Sequence, residues 1–255
     1  FKKRGFYLVM DVDDAIYLNY SSGGLRCFYR ERTRKLAALC DVIVVGGEGL
    51  RRYYSNYNDN VKFVATTSCK NTNTEKNYSY NDFRIGWIGS RSSEVDLETV
   101  INDLELFCKE TGAILVLMGD YESLKRKFGM ISNCEIYQWD AIEEAVFLNS
   151  LSIGIMPLEM NVYNEGKCSF KLLQYMSCGI PFAYSPTIAN VSIDLDSNNF
   201  RSNSQNTNWK DILLTAMLSP DLEEIGSKNL KLFESNYSFQ VNRMLIKDIL
   251  CVNRD

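Results

Sequence analysis

The fold is decided by residues 151–186, LSIGIMPLEMNVYNEGKCSFKLLQYMSCGIPFAYSP. A near-continuous apolar run ends at Met156-Pro157-Leu158, a polar loop follows, and a helix starts near Lys167. Gly179-Ile180-Pro181 closes that helix and launches the next apolar run, Phe182–Tyr184. Strand, loop, helix, strand is the repeating unit of a parallel α/β sheet. In open sheets of this kind ligands sit at the carboxyl ends of the strands, and a loop entering a helix N-terminus suits a phosphate. Lys167 and Lys171 are four apart and Gln174 follows three later, so the three share one helix face. Leu172, Leu173 and Met176 fall on the other side, where they can pack on the sheet. Two lysines, Ser169 and free backbone N–H groups at a helix start could clamp a diphosphate. The same spacing also suits a solvated helix face.

The pattern extends in both directions. Strands are expected at Gly5–Val12, Val42–Val45, Lys62–Thr66, Arg84–Ile88, Ala113–Met118, Glu135–Trp139, Ser152–Pro157 and Phe182–Tyr184. Their continuous apolarity fits strands covered by helices on both faces. Helices are expected at Leu25–Cys40, Val95–Glu110, Ser123–Phe128, Ile142–Asn149, Phe170–Cys178 and Trp209–Leu218. Two more, near Asp221–Ser235 and Ser238–Cys251, close the chain. The polar, aperiodic stretch Cys69–Asp82 breaks the rhythm and reads as a linker. It divides residues 1–80, with three strands, from 81–237, with enough elements for a whole Rossmann-like unit. Residues 238–255 form a last helix expected to pack back towards the N-terminal part. A second polar run, Asp194–Asn208, reads as an extended surface loop.

Composition narrows the chemistry. The chain has 255 residues, 45% of them apolar and 24% charged, as in soluble globular proteins. No apolar run approaches the roughly 20 residues of a membrane-spanning helix. A net charge of −4 argues against bulk nucleic-acid binding. There is no histidine, which excludes a Ser-His-Asp triad, a His-ligated zinc and an imidazole base. The eight cysteines form no Cys-x-x-Cys pair and no disulfide framework, so reduced thiols in a cytoplasmic protein are expected.

The central stretch resembles the retaining glycosyltransferases of family 4 (group 1), which have the two-Rossmann-domain GT-B fold. The resemblance rests on Gly154-Ile155-Met156-Pro157-Leu158, on Lys171-Leu172-Leu173-Gln174-Tyr175-Met176 and on Cys178-Gly179-Ile180-Pro181. Upstream, Arg84-Ile85-Gly86-Trp87-Ile88-Gly89-Ser90 is similar to the family's first donor-domain strand and glycine loop. Met118-Gly119 and Trp139-Asp140 are similar to later strand ends. The resemblance implies an α/β, GT-B-like chain with one complete donor domain and a partial N-terminal, acceptor-side domain lacking its start.

The resemblance also implies roles. Lys167 and Lys171 would neutralise the donor diphosphate as the glycosidic bond breaks. Gly89, Ser90 and Arg91 would approach the phosphates from the opposite loop, and Gly119, Trp139 and Asn161 would border the donor. Asn164, Glu165, Gly166 and Ser169 would face the sugar, and residue 174 the ribose. One departure stands out. The family carries two glutamates eight apart, whereas this chain has Gln174 with Gly166 eight earlier and Glu165 one residue off. Glutamine can still bond a ribose diol, but without charge.

In the first part, Phe6–Tyr17 is an apolar strand running into Asp11, Asp13 and Asp14. Asp-x-Asp is similar to the metal motif of the GT-A glycosyltransferases, where a divalent ion holds the diphosphate. Here the second domain already supplies the phosphate site. The segment also resembles the acceptor-side domain of some family 4 enzymes, which would put Asp11 and Asp13 in the cleft as catalytic groups. Capping and loop-stabilising aspartates would look the same. Asp41-Val-Ile-Val-Val45 and Gly47-Glu-Gly-Leu-Arg-Arg-Tyr53 resemble that domain's closing strand and helix. The 25–40 helix sets Arg26, Arg30, Arg32, Arg34 and Lys35 beside Leu25, Phe28, Leu36 and Leu39. That pattern suits either a solvated face or anionic lipid at the inner face of a membrane.

The expected function is metal-independent sugar transfer, with retention, from a nucleoside-diphosphate sugar to a glycan or lipid-linked acceptor in polysaccharide biosynthesis. No cofactor and no nucleic-acid partner are expected. A catalytically silent nucleotide-sugar-binding remnant is the alternative. A Rossmann dehydrogenase or epimerase lacks support because no Gly-x-Gly-x-x-Gly follows a strand.

Overall fold

A computed structural model describes residues 4–18, 23–68, 82–194 and 198–251, with backbone only for 23–27. The expected linker, residues 69–82, lies outside the described residues except for Asp82.

The first sheet has three parallel strands in the order β1 (Val9–Val12), β2 (Val42–Val45) and β3 (Val61–Phe63). α1 (Gly23–Leu39) joins β1 to β2, and α2 (Glu48–Tyr54) joins β2 to β3. β1 is shorter than its apolar run: its pairing with β2 begins at Val9, and Phe6 and Tyr7 before it are exposed. Val42 to Val45 are all buried, with Ile43 and Val45 meeting Leu50 and Tyr54 of α2 in one cluster.

The second sheet has six parallel strands. They are β4 (Arg84–Ile88), β5 (Ile114–Gly119), β6 (Cys134–Gln138), β7 (Ile153–Met156), β8 (Phe182–Tyr184) and β9 (Phe200–Arg201). Their spatial order, β6-β5-β4-β7-β8-β9, is the doubly wound dinucleotide-fold order. The connecting helices are α3 (Glu94–Glu98), α4 (Ile101–Thr111), α5 (Tyr121–Phe128), α6 (Glu144–Asn149), α7 (Phe170–Ser177) and α8 (Ile188–Ile193). α9 (Trp209–Met217), α10 (Leu222–Asn236) and α11 (Phe239–Leu250) follow β9.

The continuous apolar strands have a direct explanation. Alternate side chains enter two separate cores. Ile85, Trp87, Leu115, Leu117, Ile153 and Ile155 fill one face with α4 and α9 residues. Ile88, Val116, Met118 and Met156 fill the other, against Leu172, Tyr175 and Phe233. In β4, β5, β7 and β8 every position after the first is thus buried, and period-2 alternation disappears from these stretches of the sequence.

Three expectations are corrected. The single helix over Val95–Glu110 is two, because Thr99 and Val100 interrupt the helix between α3 and α4. The short helix α8 is additional; its Thr187 cap accepts from Asn190 N. Residues 198–208, expected as part of an extended surface loop, are more than that. They supply β9, and Asn206 is buried, donating to the Leu158 carbonyl at 2.9 Å and accepting from Ser185 Oγ at 2.8 Å.

Two contacts tie the chain's last segments to the first sheet's side. Asn242 of α11 donates to the Ala65 carbonyl, and Thr67 Oγ1 donates to the Tyr237 carbonyl at 2.8 Å. No helix among the described residues is long and apolar enough to cross a membrane.

Candidate functional site

Between β4 and β7 the connections leave the sheet in opposite directions, which opens a crevice at the strands' carboxyl ends. A cleft of about 990 Å³ lies there. Its walls come from the loop after β4, the ends of β5 and β6, the β7–α7 connection, and Asp13 and Asp14 beyond β1.

The β7–α7 connection carries both lysines. Lys167 Nζ donates to Asp96 Oδ2 at 2.7 Å. Asp96, buried at the start of α3, also accepts from Glu159 N at 3.1 Å and Asn164 Nδ2 at 2.8 Å through Oδ1. One carboxylate therefore fastens the loops that follow β4 and β7. The Lys171 ammonium lies 5.3 Å from the centre of the Trp87 ring and 3.5 Å from Ser93 Oγ. Desolvation, then repulsion by Lys167, lowers its pKa to about 8. Together the two lysines form a positive end to the cleft.

Beside the lysines lies the Gly89–Ser93 turn. A side chain on Gly119 would come within 2.6 Å of the Gly89 carbonyl, so glycine lets the β4 and β5 ends approach main chain to main chain. Gly89, Ser90, Arg91 and Gly119 all line the cleft, joined by Ser92 and Ser93. Ser169, left-handed at φ 56° and buried, starts α7 and donates to Asn190 Oδ1 at 2.7 Å. Its unfavourable backbone costs roughly 1 kcal/mol and turns the first turn of α7 towards the cleft.

Trp139 and Gln174 also line the cleft, together with Glu144, which sequence reasoning missed. Glu144 Oε1 accepts from Gln174 Nε2 at 2.8 Å, and Oε2 accepts from Trp139 Nε1 at 2.8 Å.

From the first sheet, Asp13 and Asp14 face the lysines' side of the cleft, whereas Asp11 stays on β1 outside the wall. Asp14 is committed to structure, accepting from Ala15 N and from Tyr163 Oη at 3.0 Å. No hydrogen bond from the Asp13 side chain is seen among the described residues.

Four residues expected at the donor, Asn161, Asn164, Glu165 and Gly166, do not line the cleft. Asn161 Oδ1 caps the short turn before Lys167, accepting from Asn164 N at 2.9 Å. Asn164 is buried under the loop on Asp96 and the Glu159 carbonyl. Glu165 Oε2 accepts from Ile188 N at 2.7 Å, at the start of α8. Gly166 packs on Ala15, where a side chain would come within 2.7 Å. A polar loop that bonds mainly to itself and to α8 gives no sequence signal of its orientation.

The two halves meet through glycines. Side chains on Gly47 and Gly49 would lie 2.7 Å from the Lys167 carbonyl and 1.8 Å from the Glu165 carbonyl. The first turn of α2 is thus pressed directly on the lysine-bearing loop. Among the described residues no three carboxylate or cysteine side chains converge as a metal-ligand group.

No protein-family model and no curated protein sequence matches the chain. Solved structures do. HepE of Anabaena, in complex with UDP and glucose, superposes with a TM-score of 0.75 at 12% identity, covering 96% of this chain and 71% of that one. A variant of S. aureus TarM, in complex with fondaparinux, alpha-GlcNAc-glycerol and UDP, gives a TM-score of 0.71 at 14% identity. The chain spans 50% of that protein's length, with 97% of itself covered. WaaG, a glycosyltransferase involved in lipopolysaccharide biosynthesis, gives 0.67 at 12% identity, with 96% and 75% covered. Identities this low speak for the fold alone. The chain has the α/β, parallel-sheet fold of the GT-B glycosyltransferases.

Proposed function

We propose that this chain binds a nucleoside-diphosphate sugar and takes part in transferring its sugar, with retention, to a glycan or lipid-linked acceptor in polysaccharide assembly. One observation carries the reading: Lys167, Lys171 and the Gly89–Ser93 turn line one cleft at the crevice between β4 and β7, with Lys171 Nζ 3.5 Å from Ser93 Oγ. A diphosphate placed there meets two cations beside a serine- and glycine-lined turn. As the glycosidic bond breaks, negative charge grows on the leaving diphosphate, and fixed ammonium groups stabilise it without a metal ion. Asp13, on the acceptor side, is the carboxylate best placed to contact the sugar or the incoming hydroxyl. The solved relatives in complex with UDP or UDP-glucose support a uridine donor. Phe28, Leu36 and Leu39 are exposed on α1 beside Arg32 and Lys35, which favours contact between a cytoplasmic protein and an anionic membrane surface.

Thermal-shift measurement against UDP-, GDP- and ADP-sugars tests donor binding. Ligand near 100 Kd stabilises by roughly 2.7 kcal/mol, and Lys171→Ala should abolish the shift. Turnover with an acceptor, followed by the anomeric configuration of the product, tests retention. Binding without turnover would favour a silent binder instead.

A further inference from the structure

The cleft contains a carboxylate that spacing in the sequence does not reveal. Residue 174 is an uncharged glutamine, buried in α7 with its side chain at the cleft. One of the two N–H groups of its amide donates to Glu144 Oε1 at 2.8 Å. Glu144 belongs to a different element, the first turn of α6, and its second oxygen is held by Trp139 Nε1 at 2.8 Å. Each carboxylate oxygen thus accepts one N–H, and each keeps a further lone pair.

A ribose presents two adjacent hydroxyls, both donors, and needs two neighbouring acceptors. Gln174 alone offers one acceptor, its carbonyl oxygen. Tied to Glu144, it becomes half of a pair: the amide carbonyl beside an ionised carboxylate whose direction is fixed from both sides. Hydrogen bonds to an ionised acceptor are roughly twice as strong as neutral ones. We propose that Glu144 is the ribose-reading carboxylate of this cleft, with Gln174 and Trp139 as its positioning residues. The assignment rests on the nucleoside-diphosphate reading above, and it makes the site selective for ribo- over deoxyribonucleotides. The charge lost at residue 174 is supplied from α6.

Calorimetric titration of the full chain with UDP, GDP and ADP, and with the 2′-deoxy form of whichever binds, tests this. The wild-type chain should prefer the ribonucleotide by about tenfold or more. Glu144→Gln keeps the shape but removes the charge. It should weaken the ribonucleotide about tenfold while changing the deoxy form by less than about threefold, so that the preference collapses. Gln174→Met, which releases Glu144, should reduce the preference in the same direction. Retained deoxynucleotide affinity reports that a variant is folded. Equal weakening of both nucleotides, or an unchanged preference in Glu144→Gln, overturns the assignment and leaves the donor reading standing. Failure of the wild-type chain to bind any of the three diphosphates overturns the donor reading itself, and the assignment with it.

Discussion

Lys167 and Asp96 form an ion pair 2.7 Å long across the mouth of the β4–β7 crevice, joining residues 71 apart in the chain. The aspartate is buried and the lysine is one-fifth exposed. The ammonium is therefore already aimed and partly dehydrated before a ligand arrives, the condition under which a fixed charge is most effective.

Removing Asp96 leaves three donors without their acceptor: the lysine, the Asn164 amide and the Glu159 N–H. Losing one partner of a fully buried pair costs about 3–5 kcal/mol, and the partial exposure of Lys167 lowers the expectation to about 2–3 kcal/mol. Urea unfolding of Asp96→Ala should show that loss. A curve superimposable on the wild type would mean the carboxylate anchors nothing.

Lys171 predicts two opposite pH trends. Its pKa is lowered to about 8, chiefly by desolvation and then by Lys167. Below that value the folded chain must hold a charge that its surroundings oppose. The unfolded chain binds the extra proton up to about pH 10.4, so this group's contribution to stability rises with pH from about 8 to 10.4. Diphosphate affinity should move the other way, falling as pH rises past about 8, since only the ammonium attracts it. Lys171→Arg stays charged and should flatten the affinity profile at about pH 9.5. An unaltered profile in that variant would remove Lys171 as the titrating group.

Gly49→Ala places a methyl group where the Glu165 carbonyl now lies, 1.8 Å away. Neither main chain can yield without moving α2 or the lysine loop. Overpacking of this kind costs about 1–3 kcal/mol, and nucleotide affinity should fall with it because Lys167 shifts. Differential scanning calorimetry with and without UDP measures both. A variant with wild-type melting temperature and affinity would show that the two halves are not pressed together there.

Glu165 tests the loop's orientation. Its carboxylate accepts from Ile188 N at the start of α8, so Glu165→Ala should lose about 1 kcal/mol of stability. Affinity for UDP should stay within about twofold, as for other changes away from the ligand. A large loss of affinity at unchanged stability would return Glu165 to the sugar site.

Much of the architecture was legible because buried parallel strands announce themselves. β2, β4 and β8 have the boundaries their apolar runs predict, and α7 begins and ends within a residue of expectation. α8 was not legible: six residues, half of them β-branched, ending in a stretch rich in Asn, Asp and Ser look like loop. The glycine turn could be read because strand ends fix its neighbourhood, whereas Lys167, expected on one helix face with Lys171 and Gln174, lies in extended backbone before α7, which starts at Phe170 after the left-handed Ser169. Asp96 could not, since an acidic residue in the first turn of a helix ordinarily faces solvent and favours the helix dipole. Glu144 was hidden for the same reason. Its partners, Trp139 and Gln174, are five and 30 residues away, and only the second crosses the fold.

The glycine contact between α2 and the lysine loop has a consequence for how such a cleft can diversify. Since no side chain stands between the Gly47–Gly49 backbone and the carbonyls of Glu165 and Lys167, the gap between the halves is gauged by main chain alone. Wall residues such as Ser92, Gln138 or Trp139 can be exchanged without altering that gauge. Choice of ligand and spacing of the halves are thus set by different residues, the second by two hydrogen-sized positions, Gly47 and Gly49.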